Sequence, residues 1–284
     1  MNNKIINGKA LANKILHEVS ATIKQLHVND RRIPALAVVV IGENPASEIY
    51  VRNKKNACAK VGISSIEYAL PEDATELGLL NLIAELNHDK NIDGILVQLP
   101  LPKHLDSKLV INAINPTKDV DGFHRYNIGS LTVQDPSICP CTPHGIIHML
   151  DSINFDYSGT NAVVIGTSNI VGRPMALELL NRGATVTMCN HKTKNISQYT
   201  ILADLIVIAI GQPKFLKKEW VNEKCVVIDV GINRLSDNTI CGDTDFDDIV
   251  DKVSYITPVP GGVGPMTIAT LIKNTLECYN LHSL

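Results

Sequence analysis

Aromatic residues are scarce, 4% of 284 positions, and neither charge sign dominates: 26 Lys and Arg stand against 29 Asp and Glu, a formal net charge of −3. The first shortage argues against a base-stacking platform. The second removes the basic field needed to hold a phosphate backbone, so nucleic acid is not an expected partner. Long hydrophobic runs are missing too. The longest, Ala35 to Ile41 and Leu205 to Ile210, fall far short of the roughly 20 residues that cross a bilayer, and no membrane role is expected. The seven cysteines are odd in number and form no paired framework, and Met1-Asn2-Asn3-Lys4 leads into no apolar signal core; together these point to a reducing, cytoplasmic setting.

What is present suits a globular chain. Apolar residues make up 45% of the sequence and charged ones 19%, which excludes disorder as a global description. At roughly 150 residues per domain, the length suggests two domains. Short Val- and Ile-rich runs alternate with longer segments of helical period, the pattern of parallel sheets covered on both faces. The class is therefore α/β.

In the first half the pattern predicts helices over Gly8 to His27, Ala46 to Val61 and Thr75 to Asn87, and strands over Ala35 to Ile41, Ser65 to Ala69 and Gly94 to Gln98. The second half predicts strands Asn161 to Ile165, Thr185 to Cys189, Leu205 to Ile210, Val226 to Val230 and Tyr255 to Thr257. Helices are expected at Gly172 to Asn181 and Met266 to Tyr279. Pro116 to Pro143 has no clear period and reads as a linker before a helix that Pro143 opens in its first turn. The boundary falls near residue 140.

Val163-Val164-Ile165-Gly166-Thr167-Ser168-Asn169-Ile170-Val171-Gly172-Arg173-Pro174 runs from an apolar strand through a glycine turn into a helix. A dinucleotide suits this place: Gly166 permits the tight turn, Ser168 offers a hydroxyl, and the helix start presents a positive dipole end to a pyrophosphate. The spacing departs from G-x-G-x-x-G, and a glycine at a strand end also serves purely structural ends. After the next strand the chain reads Asn190-His191-Lys192-Thr193, with no carboxylate to repel a 2′-phosphate. His191 and Lys192 are suited to attract one, which favours NADP over NAD; the plain alternative is a solvated polar turn.

In the first half, Ser47, Tyr50, Lys54 and Cys58 fall at steps of three and four and share one helix face. A lysine buried beside an aromatic ring can move protons, whereas most lysines are simply solvated. Gln98 ends an apolar strand before Leu99-Pro100-Leu101-Pro102, where ligands of α/β sheets gather, although a strand-end amide also caps loose backbone. Asp121 lies in Lys118-Asp119-Val120-Asp121-Gly122, a loop able to orient a heterocycle or merely to close a turn. Cys139, Cys141, His144 and His148 offer thiols and imidazoles but lack the C-x₂₋₄-C step, so no metal is expected.

Tyr50-x-x-x-Lys54, Gly94-Ile95-Leu96-Val97-Gln98-Leu99-Pro100-Leu101-Pro102, Lys118-Asp119-Val120-Asp121-Gly122, Cys141-Thr142-Pro143, Ser168-Asn169-Ile170-Val171-Gly172-Arg173-Pro174 and Thr257-Pro258-Val259-Pro260-Gly261-Gly262-Val263-Gly264-Pro265-Met266-Thr267 occur in that order. Together they resemble the bifunctional methylenetetrahydrofolate dehydrogenase/methenyltetrahydrofolate cyclohydrolase family across nearly the whole chain. The resemblance implies two three-layer αβα domains with a cleft between them: a folate-binding catalytic domain at 1–140, a Rossmann-type NADP-binding domain at 141–265, and a last helix, 266–284, packing back on the first. It implies that Lys54 is the catalytic lysine, that Tyr50 stacks on the folate, that Gln98 tunes Lys54 and that Asp121 binds the pterin edge. Gly166, Thr167, Ser168 and Ile232 would hold NADP. Many members carry Arg where this chain has Thr167, and His-Ser or His-Arg where it has Asn190-His191, so His191 and Lys192 are expected to take over the 2′-phosphate. Tetrahydrofolate derivatives are the implied ligands and a homodimer the implied assembly. Two rival readings are a two-domain nicotinamide dehydrogenase of a small acid and a non-catalytic NADP-binding regulator. Neither needs Tyr50, Lys54, Gln98 and Asp121 together.

Overall fold

A computed structural model of the chain describes residues 4–43 and 45–282, without the side chains of residues 45–49. Met1, Asn2 and Asn3 of the N-terminal run, and the Ser47 side chain of the shared helix face, lie outside the described part. The chain divides into two compact units, one of Asn13–Cys141 with Ile268–Leu284, the other of Met1–Ala12 with Thr142–Thr267.

The first unit begins in α1 (Gly8–Val28) and alternates β1 (Ala35–Ile41), α2 (Pro45–Val61), β2 (Ser64–Leu70), α3 (Glu76–His88) and β3 (Gly94–Val97). The strands pair in parallel in the order β2-β1-β3. Ala35, Ala37, Val39 and Ile41 of β1 face one way and pack with Leu79, Ile83 and Leu86 of α3. Leu36 and Val38, facing the other way, are equally inaccessible, which is why β1 reads as an unbroken apolar run. Each such Val, Leu or Ile contributes roughly 1.5–3 kcal/mol on burial.

Two helices follow that periodicity does not reveal, α4 (Ser107–Ala113) and α5 (Arg125–Thr132). Both depend on their caps. The Asp106 carboxylate accepts from Lys108 and Leu109 N–H, and the His124 ring accepts from Tyr126 N–H.

The second unit contains α6 (Cys141–Ser152), β4 (Asn161–Ile165), α7 (Gly172–Asn181), β5 (Thr185–Cys189), α8 (Ser197–Thr200), β6 (Leu205–Ile208), β7 (Val226–Asp229), a two-residue hairpin β8 (Asn233–Arg234) and β9 (Ile240–Cys241), α9 (Phe246–Ile249) and β10 (Tyr255–Ile256). Its parallel sheet runs β10-β7-β6-β4-β5. The chain leaves β4 for β5 on one side and returns to β6 on the other, so the carboxyl ends of β4 and β6 flank a topological switch point, where α/β sheets bind ligands.

Residues 4–9 belong to this sheet's outer side. Ile6 N–H donates to Ile256 O and Ile256 N–H to Lys4 O, each at 2.9 Å, while Lys9 N–H donates to Gly261 O at 3.0 Å. Ile6 is buried. The last helix, α10 (Val263–His282), starts three residues before the expected Met266. Pro265 sits in its first turn, where no N–H is needed. No described helix is long and apolar enough to cross a membrane.

Candidate functional site

Lys54 lies on α2 and Gln98 follows β3, and the parallel pairing of β1 with β3 brings them together. Lys54 Nζ donates to Gln98 Oε1 at 3.1 Å, and Lys54 is only 8% exposed. The Gln98 amide is itself fixed: its Nε2 donates to Leu99 O at 2.6 Å, and its backbone N–H donates to Val39 O at 2.9 Å. The oxygen is thereby committed to the ammonium, since flipping the amide would place two donors against each other. Tyr50, one turn before Lys54, keeps its ring 37% exposed, with partial burial raising its phenol above the usual range. Cys58, one turn after Lys54, is fully buried, and its thiol is pushed up to about 11 by burial, so it acts as a small apolar side chain.

Asp121 completes the group. Burial raises its carboxyl, and the nearby Lys54 charge offsets part of that rise. Its loop is held from several sides. Lys118, nearly inaccessible, donates Nζ to Leu86 O and Asp89 O at the end of α3, at 3.0 and 2.7 Å. Asp119 accepts from His124 N–H at 2.7 Å, Asn127 Nδ2 at 2.9 Å and Gly122 N–H at 3.2 Å. Burial keeps its carboxyl at about 6 despite those donors. Of this motif's three charged residues, Lys118 binds backbone carbonyls and Asp119 binds backbone N–H groups and the Asn127 amide.

Two residues whose part here pattern reading does not reveal complete the frame. Asn274 of α10 donates Nδ2 to Val120 O and to Cys139 O, both at 2.9 Å. Cys141 donates Sγ to Val120 O at 3.1 Å and its N–H to Asp121 O at 3.2 Å. Burial holds that thiol well above its ordinary range, which suits a donor. The available signal was a polar Asn274 among the apolar positions of α10, but its partners lie more than a hundred residues away. In the second unit, His144 pairs with Glu178 at 2.9 Å, and Glu178 is also bound by Arg182.

The turn after β4 is shaped for close approach. Gly166 has φ +116, and a Cβ there would strike Ala209 O, so only glycine fits. Ser168 Oγ accepts from Val171 and Gly172 N–H at 3.2 and 3.4 Å, winding the chain tightly into α7. Thr167 is half-buried, while Ser168 and Ile232 are exposed. A glycine-opened turn at a helix start, beside the switch point, fits a dinucleotide's phosphates. Beyond β5, Asn190 Oδ1 accepts from Lys192 N–H at 2.8 Å and Thr193 Oγ1 from Asn190 N–H at 2.9 Å. This closed turn holds the exposed His191 and Lys192 outward.

Comparison with known proteins agrees with both halves. Residues 6–121 match the family model described as tetrahydrofolate dehydrogenase/cyclohydrolase, catalytic domain, and residues 140–283 match its NAD(P)-binding domain. A bifunctional protein FolD of Neisseria gonorrhoeae is 51% identical over 282 residues, 99% of either chain. The crystal structure of the bifunctional FolD methylenetetrahydrofolate dehydrogenase/cyclohydrolase of Campylobacter jejuni superposes with a TM-score of 0.95 at 49% identity, covering 98% of this chain and 99% of that one. The Trypanosoma brucei dehydrogenase-cyclohydrolase, solved with NADP cofactor and an inhibitor, gives 0.94 at 34% identity, covering 98% and 97%. With a lysine–amide pair in one unit, a glycine cradle in the other and full-length likeness to these enzymes, the chain belongs to the tetrahydrofolate dehydrogenase/cyclohydrolase family.

Proposed function

We propose that this chain oxidises 5,10-methylenetetrahydrofolate with NADP⁺ to the 5,10-methenyl cation and hydrolyses that cation to 10-formyltetrahydrofolate. The Lys54–Gln98 hydrogen bond beside Asp121 carries the reading. Gly166, Thr167, Ser168 and Ile232 would hold the cofactor, with His191 and Lys192 toward its 2′-phosphate. When bound, the cofactor supplies the hydride acceptor.

For the oxidation the protein's task is chiefly positioning, because the substrate's own nitrogens stabilise the cation left when hydride departs. Tyr50 offers a partly exposed ring face for the folate, and Asp121 a carboxylate for the N–H donors of the pterin edge. The hydrolysis asks for more. Water must lose a proton as it attacks the cationic carbon, and Lys54 in its neutral form is placed to receive it while Gln98 keeps the amine in line. Breakdown of the hydrated adduct then opens the ring C–N bond and leaves the formyl group.

Lys54→Gln tests the assignment, with NADPH formation and loss of methenyl absorbance followed separately. The expected result is a far deeper loss of cyclohydrolase than of dehydrogenase activity. Equal retention of both would remove Lys54 from the mechanism. A homodimer in a reducing compartment is the assembly we propose, supported by the family relationship and by seven cysteines that form no disulfide.

A further inference from the structure

The second unit contains two inaccessible carboxylates outside the contacts described above, and they share one network. Asp243, 0% exposed, follows β9; Asp229, 3% exposed, ends β7. Asp243 Oδ2 accepts from Ile210 N–H at 2.7 Å and Gly211 N–H at 3.0 Å; its Oδ1 accepts from Gln212 N–H at 2.9 Å and Asn233 Nδ2 at 2.8 Å. Asp229 holds the segment carrying Asp243 through the N–H groups of Asp243 and Thr244, at 2.9 and 2.7 Å, and also accepts from Gly231 N–H at 3.0 Å. A Cβ at Gly231 would collide with the Asp243 carboxylate, so the β7 loop passes directly against it.

Three successive backbone N–H groups converging on one anion form a nest of the kind that elsewhere receives phosphate. Here the protein's own carboxylate fills it. Charge-assisted bonds of this kind are roughly twice as strong as neutral ones. One side chain thus ties the loop leaving β6, residues 210–212, to the loop leaving β7, residues 231–233. These strands are hydrogen-bonded neighbours, and both loops lie at carboxyl strand ends, with Ile232 carried at 49% exposure between Gly231 and Asn233.

We infer that Asp243 is a positioning residue for the dinucleotide, setting the two loops against which the cofactor lies without touching it. This rests on Ile232 being a cofactor contact, as proposed above. Asp243 also occupies the β6 loop's N–H groups internally, which leaves the turn after β4 to receive the cofactor's phosphates.

The test compares the full-length protein with Asp243→Asn and Asn233→Ala. Asn at 243 keeps the size but loses the charge and turns an NH₂ toward N–H donors; Ala at 233 removes one donor and leaves the carboxylate. NADPH affinity is read from its fluorescence enhancement, with folate KM and cyclohydrolase rate measured alongside. Asp243→Asn is expected to weaken NADPH binding about tenfold or more and Asn233→Ala about threefold, with folate KM and cyclohydrolase rate within about twofold of wild type. A purely architectural role would lower the melting temperature and leave NADPH affinity unchanged; that result overturns the inference. If Asp243→Asn does not fold, Asn233→Ala decides alone. Absence of NADPH binding by the wild-type protein would instead count against the cofactor assignment itself.

Discussion

Asn274 is the grip by which α10 holds the Asp121 loop, and Asn274→Ala measures it. The substitution deletes two 2.9 Å bonds, to Val120 O and Cys139 O, from a residue 5% exposed. A neutral buried hydrogen bond contributes about 0.5–1.5 kcal/mol net. Val120 O keeps the Cys141 thiol at 3.1 Å. The expected total is about 1–3 kcal/mol, counted as two net bonds. Local opening is the direct readout, through hydrogen exchange of the Cys141 amide, which donates to Asp121 O at 3.2 Å. At about 1.4 kcal/mol per factor of ten, its exchange should quicken by roughly 5- to 140-fold. Folate KM should rise with it, because the loop bearing Asp121 must then be ordered on binding, while the NADP⁺ KM stays put. Asn274→Asp should be worse, since it sets a carboxylate against two carbonyl oxygens. Exchange within about threefold of wild type, together with an unchanged folate KM, would refute the reasoning.

Asp119 gives a pH signature. Its carboxyl sits at about 6 in the folded chain against an ordinary 3.8, so the folded state binds the proton more tightly and this group's stabilisation falls as pH rises through that interval. The free energy of unfolding of wild type minus that of Asp119→Asn should drop by about 2 kcal/mol between about pH 4 and pH 7; a flat difference in urea titrations would contradict it. Lys192→Ser should cut the preference for NADP⁺ over NAD⁺ in kcat/KM by roughly tenfold. An NAD⁺ preference in the wild-type protein would exclude the 2′-phosphate assignment.

The parts of the fold that show in the sequence are those whose burial is continuous. β1, β4, α7 and β5 have the bounds that apolar run and helical period suggest: β1 and β4 are covered on both faces, α7 starts at a glycine turn, and β5 shows through its Val and Thr content although it is only partly buried. α4 and α5 are invisible to the same reasoning: seven and eight residues long, they bury one and two side chains and owe their ends to Asp106 and His124. The hairpin of β8 and β9, two residues on each side, is too short for any period. Of the site, Lys54 and Gln98 are legible because a helix face and a strand end are local features. The roles of Asn274, Cys141 and Asp243 are not, since each works through backbone groups that only the folded chain brings near.

Residues 4–9 carry a practical consequence for cutting the protein apart. They form the outermost backbone partner of Ile256, whereas the cofactor-binding region recognised by family resemblance begins at residue 140. A fragment excised at that point loses its selvedge: the N–H and C=O of Ile256 stand open on a parallel sheet, ready to recruit another chain. Such a fragment should be sticky, and supplying residues 4–12, as a fused or added peptide, should restore it to solution.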